Sequence, residues 1–201
     1  GGINLYENHP WFKNTANYLT YCAASGAMVP GFGDKSEKRK HKLYGMEMQL
    51  LFLQIKNNPL AAWTLKQERT FNTRAKFSDW AYILQDKVIE DWSKAPQPKN
   101  LKHAGVFRGV GLAALHSDIS KPKDNTTVYL HSSPYGGGIA HMTSSQNCFN
   151  ISYKGQPLFY HTGNYKAGFS SKHIFTDYRH TRSHNGLLVN GLSQGIGMNY
   201  F

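Results

Sequence analysis

Hydrophobic and polar positions change period partway along the chain. In HKLYGMEMQLLFLQIK (41–56), Leu43, Met46, Leu50 and Leu53 recur at steps of three and four, the repeat of one helix face. Tyr44, Met48, Leu51 and Ile55 widen that stripe until little of the helix is left to face water. In SDWAYILQDKVIEDWS (78–93), Ser78 is a natural N-cap, and Ala81, Leu84, Val88 and Trp92 form one face behind it. HPWFKNTANYLTYCA (9–23) and PLAAWTLKQ (59–67) predict two further helices. The charged stretch GDKSEKRKHK (33–42) reads as a solvated loop between the first helix and the long one.

APQPKN (95–100) breaks the helical pattern, because two prolines among polar residues end a helix without starting a strand. Beyond it the period is two. Val106, Arg108, Val110, Leu112 and Ala114 alternate along GVFRGVGLAALH (105–116), which reads as one strand. TTVYLHS (126–132), NCFNISY (147–153), PLFYH (157–161) and GLLVN (186–190) follow as short runs bounded by Gly, Pro, Asn and Ser, and KGQP (154–157) is a hairpin turn. The expected architecture is therefore α then β, with helices over residues 1–97 and an antiparallel β-sandwich over 98–201.

Composition narrows the chemistry. The chain has 201 residues, 40 % hydrophobic and 17 % charged, which excludes a disordered polymer and a coiled coil. No apolar run approaches the roughly 20 residues of a membrane span, and the opening GGINLYENHPW lacks a basic-then-apolar leader, so the chain reads as a mature or truncated piece. Twenty-three Lys+Arg against twelve Asp+Glu give a net charge of +11, a surface suited to polyanions. Helix-turn-helix, RNP and zinc-finger patterns are missing, which argues against nucleic acid as the partner. Cys22 and Cys148 are far apart in sequence and read as buried free thiols.

Residues 101–201 hold nine Lys+Arg and only three acids, Asp118, Asp124 and Asp177, with eight of the ten histidines. A glycosidase in this half is disfavoured, since that hydrolysis needs two carboxylates close together. Imidazoles, phenols and guanidinium groups suit a different reaction, β-elimination of a uronate. There a base removes the C5 proton beside the carboxylate, positive charge or hydrogen bonds stabilise the enolate, and the bond to the 4-oxygen breaks.

The densest group of such residues lies in PYGGGIAHMTSSQNCF (134–149), YKGQPLFYHTGNY (153–165) and RHTRSHNGLLVNG (179–191). In order and spacing these three stretches resemble the heparinase II/III-like polysaccharide lyases, which join an (α/α) toroid to an antiparallel β-sandwich. NHPWFKNTANYL and PGFGD resemble part of that toroid. The resemblance implies a lyase of uronate-containing acidic polysaccharide, secreted or periplasmic. It makes His141 a catalytic residue and Tyr165 a second candidate lining the cleft. Tyr135, Gln146, Asn147 and Arg182 become candidates for binding substrate.

The family places a metal-binding histidine two residues after the first, where this chain has Thr143, and an aspartate where it has Ser145. The metal-binding aspartate of the next stretch is His161 here, and the later histidine is kept as His184. These two imidazoles could still hold zinc if a third ligand or water joined them. The toroid helices that carry the family's catalytic tyrosine and its uronate-neutralising asparagine or histidine have no counterpart in the chain. Such a piece alone is expected to be inactive and to need that missing part as its partner. The departures at Thr143 and Ser145 also suit a relative that binds acidic polysaccharide without cleaving it.

Overall fold

A computed structural model describes residues 2–32, 49, 57–71, 94–133, 143–161 and 172–194. The helices expected over 41–56 and 78–93 lie outside these residues, apart from Gln49. The other two helices form where the pattern put them.

A short helix α1 (Leu5–Asn8) leads into α2 (Pro10–Cys22), and α3 spans Pro59–Phe71. α2 opens on Pro10, whose missing N–H costs nothing in a first turn, and the His9 side chain accepts a hydrogen bond from Trp11 N at 3.2 Å. Asn58 caps α3 by accepting from Leu60 N and Ala61 N. The two helices meet through small side chains. Ala16, Ala61 and Ala62 are buried there, and the hydroxyls of Thr20 and Thr64 bond each other at 2.8 Å.

Five strands follow in an antiparallel meander, β1 (Ala104–Phe107), β2 (Leu112–His116), β3 (Thr126–His131), β4 (Cys148–Tyr153) and β5 (Gln156–Phe159). The single strand read over 105–116 is a hairpin instead. Arg108–Val110 forms a 3-10 turn and Gly111 closes it at φ +62°, so that Phe107 pairs with Leu112. Valine and arginine kept the alternation going through the turn and masked it; Gly109 and Gly111 were the turn signal. At KGQP the hairpin is tight: Lys154 and Gly155 have φ +52° and +70°, and Tyr153 pairs with Gln156. GLLVN makes no ladder. It is an exposed turn closed by one bridge between Val189 and Leu192.

One face of the sheet packs on the helices. Tyr21, Cys22, Ala24 and Ala27 meet Trp63 from α3 and Leu112, Ala114 and Tyr129 from the sheet. That face is mixed in character, since His116, Thr127, Asn150 and Ser152 are buried beside the apolar groups. Each must find a hydrogen bond inside. His116 Nε2–H donates to Tyr21 O at 2.9 Å, and Asn125 Nδ2 donates to His116 Nδ1 at 2.8 Å. Both cysteines are buried free thiols.

The meander runs the β1–β2 turn, the β3–β4 connection and the end of β5 to one end of the sheet. Ser132 N donates to Gly111 O at 2.7 Å, which ties the first two together.

Candidate functional site

His161 leaves the end of β5 and His184 follows a 3-10 turn at Thr181–Ser183; each is about 5 % exposed. Their Nδ1 atoms lie 3.1 Å apart. The Gly31 carbonyl accepts a short hydrogen bond from His161 Nε2–H, which fixes the tautomer and leaves Nδ1 as an acceptor. His184 Nδ1–H is then the donor of the pair. Its Nε2 is buried without a hydrogen bond of good geometry, though the Tyr178 backbone lies close enough to favour its charged form.

Aromatic rings enclose the pair. Tyr160 stacks on His161 with centroids 5.6 Å apart, and Phe32 lies parallel to both His161 and His131. Burial is the main reason the His161 pKa falls to about 3, with the His184 and His131 charges adding to the effect. His184 falls to about 4, again chiefly through burial. Both rings are therefore neutral near pH 7.

The surrounding chain is held by side chains. Thr181 Oγ1 donates to Ser144 O at 2.9 Å, Gln194 bonds the backbone of Gln146 through both ends of its amide, and Asn185 pairs with Phe149. The 179–194 segment thus braces residues 144–149. In turn, Gln146 Oε1 accepts from Ser133 N at 2.7 Å and Asn147 Oδ1 from Ser132 Oγ at 2.9 Å. These two amides hold the point where the chain leaves β3 for residues 134–142.

His141, Tyr135 and Tyr165 lie outside the described residues. Gln146 and Asn147 are brought to the sheet end that also carries His161. Arg182 is committed elsewhere: it donates to Asp177 Oδ1 at 2.8 Å and to the Thr176 carbonyl, in an exposed turn with His173. Sequence reading missed Gly31 and Phe32 as partners of the imidazole pair. Only the glycine in PGFG hinted at them, because their partners are about 130 residues away in the chain.

A zinc ion fits these donors only in part. Structural zinc takes four protein ligands, and two imidazole nitrogens converge here. Among the described residues no group of three His, Cys, Asp or Glu comes together. Thr143 instead spends its hydroxyl on Ser145 Oγ at 3.0 Å. The described donors therefore do not make a closed zinc site, and the imidazoles bond each other directly. Dialysis against a chelator is expected to leave the thermal midpoint unchanged, as followed by far-ultraviolet circular dichroism. A fall in the midpoint that added zinc restores would contradict this.

The chain's likeness to known proteins agrees with the fold. The family model described as heparinase II/III-like, C-terminal, matches residues 99–197. The sequence matches no curated protein. Among solved structures, a heparinase III is 14 % identical with a TM-score of 0.55, covering 90 % of this chain and 24 % of its own. Heparan sulfate lyase HepC from Pedobacter heparinus is 18 % identical with a TM-score of 0.57, over the same shares. A mutant of that lyase gives 16 % and 0.61, over 94 % of this chain and 26 % of its own. This chain thus spans about a quarter of the length of the solved structures it matches, and the shared fold includes the five-stranded sheet described above. Residues 99–197 thus belong to the heparinase II/III-like family as its C-terminal domain.

Proposed function

We propose that the chain is part of a polysaccharide lyase that cuts uronate-containing acidic polysaccharide by β-elimination, acting outside the cytoplasm as a secreted or periplasmic protein. In this reading residues 1–97 belong to an (α/α) toroid and 98–201 to the β-sandwich. The family match over 99–197 carries the reading, because it spans all three stretches in which the candidate residues lie. His141 contacts the uronate near the scissile bond, as C5 base or as the group that neutralises the carboxylate, and Tyr165 lines the cleft beside it. Tyr135, Gln146 and Asn147 surround the substrate, while Arg182 stays paired with Asp177. The hydrogen bonds from Ser133 N and Ser132 Oγ support Gln146 and Asn147 as residues that position the 134–142 segment. The +11 charge favours a polyanionic chain.

The test is incubation of the protein carrying this chain, with its toroid part, on heparan sulfate, chondroitin sulfate and alginate, followed by the ultraviolet absorbance of the unsaturated uronate. His141→Ala is expected to lower the rate by about 10²–10⁴. No new absorbance on any uronate polymer overturns the proposal.

A second reading, a polysaccharide-binding relative without turnover, is favoured by one observation. The hydroxyls of Thr143 and Ser145 bond each other where the family carries a metal-binding histidine and an aspartate. It predicts retention on an immobilised glycan with no unsaturated ends released.

A further inference from the structure

A groove of about 1180 Å³ runs between α2 and the β1 hairpin, on the side of the sheet away from His161 in strand order. Its lining includes Trp11, Asn14, Tyr18, Asn100, Lys102 and Arg108, and among the described residues no carboxylate lines it. We propose that this groove is a binding subsite for an anionic oligosaccharide, with Trp11 as its stacking platform and Arg108 as its anion contact. The inference rests on the acidic-glycan reading above but concerns residues that reading does not use.

Three features of the groove point to this ligand. The first is the indole. Trp11 is 53 % exposed, whereas Trp63 in the core is 3 % exposed. An open indole offers a flat apolar face, which suits the C–H face of a pyranose ring. The second is that the polar groups are uncommitted. Among the described residues, the side chains of Asn14, Asn100, Lys102 and Arg108 and the Tyr18 hydroxyl have no hydrogen-bond or ion-pair partner. Arg182, by contrast, is spent on Asp177. Burial raises the Tyr18 pKa to about 12, so its hydroxyl remains a donor, and its ring is fixed edge-on to Phe107 at 5.1 Å. Free amides and a phenol serve sugar hydroxyls, while the two cations serve carboxylate or sulfate.

The third feature is continuity. Arg108 begins the turn that Gly111 closes, and Gly111 O accepts from Ser132 N where the chain leaves β3 toward His141. A polymer bound along the groove is thereby led to the sheet end where the chain leaves β3 for residues 134–142.

The test titrates the protein with a size-defined uronate oligosaccharide and with a neutral glucan of equal length, following tryptophan fluorescence and its shielding from acrylamide. Uronate binding is expected to change and shield the Trp11 signal and to weaken with salt. Trp11→Ala and Arg108→Ala are each expected to weaken it by about tenfold. Lys121→Ala removes the same charge from an exposed site at the opposite end of the sheet and is expected to leave affinity unchanged. Both groove residues are exposed, and thermal melts that match the wild type are the check that their variants fold. Unchanged affinity in both groove variants, an unshielded Trp11, or equal binding of the neutral glucan overturns the subsite. If the elimination assay fails while the groove variants still lose binding, the lyase reading falls and the subsite stands.

Discussion

Acidification from about pH 7 to about pH 4 is expected to remove a large share of the chain's stability, and His116 is the clearest reason. This imidazole is 4 % exposed, under the helices. Burial lowers its pKa from 6.5 to about 4, against a smaller opposing effect from its hydrogen bond to Tyr21 and alongside the nearby His103 charge. A base whose pKa is depressed by folding binds its proton more tightly when unfolded. Its contribution is thus fully present above about pH 6.5 and is lost as the pH falls toward 4. At about 1.4 kcal/mol per pKa unit, the loss is on the order of 3 kcal/mol, against a typical total of about 5–15 kcal/mol. The geometry gives the same direction. Nδ1 accepts from Asn125 Nδ2 at 2.8 Å, so a proton there would set one donor against another. Asn125 cannot simply turn over, because its Oδ1 accepts from Asp118 N and Ser117 Oγ. Denaturant midpoints measured across this pH range should fall steadily, and His116→Gln should be less stable at pH 7 but have a shallower pH slope. A wild-type midpoint that does not change with pH would contradict the argument.

The same residue shows where the sequence was readable and where it was not. Alternation located most of the strands but hid the β1–β2 turn, and helices α2 and α3 formed over the stretches expected to be helical, while their caps at His9 and Asn58 emerged only in the structure. Alternation does not reveal which face goes inward. Here the face under the helices takes His116, Thr127, Asn150 and Ser152, while Leu115, Leu130 and Phe159 on the other side are 40–57 % exposed. That choice depends on partners distant in sequence, such as Tyr21 O for His116. An apolar outer face suits the expected sandwich, whose second sheet would cover it; one sheet is present among the described residues. The pairing of His161 with His184 came from motif order. The residues that hold it, Gly31 and Phe32, are long-range contacts that no local pattern encodes.

Gly31→Ala is expected to be the most damaging conservative substitution near this site. Gly31 sits at φ +71°, where an L side chain costs about 1–2 kcal/mol in backbone terms alone. A methyl group there would also fall onto the Tyr160 hydroxyl and ring. Tyr160 has little room to yield, because its hydroxyl donates to Val29 O at 2.8 Å and its ring stacks on His161. Moving the backbone instead would disturb two other contacts. Asn150 Nδ2 donates to Pro30 O at 2.6 Å, and His161 Nε2–H donates to the carbonyl of Gly31 itself. The segment at 29–32 is thus fastened to β4 and to the end of β5 at four consecutive residues, counting the Phe32 stacking. The combined cost should be on the order of 3 kcal/mol or more, read as a lower denaturant midpoint. Gly109→Ala is the comparison, since Gly109 is not at positive φ and a methyl there meets nothing within 4 Å; it should be close to neutral. Displacing the carbonyl of residue 31 also loosens its bond to the His161 ring, so in Gly31→Ala the His161 and His184 ring protons should shift in NMR spectra while those of His116 stay put. Equal stability of the two alanine variants would mean that the 29–32 segment does not hold the imidazole pair.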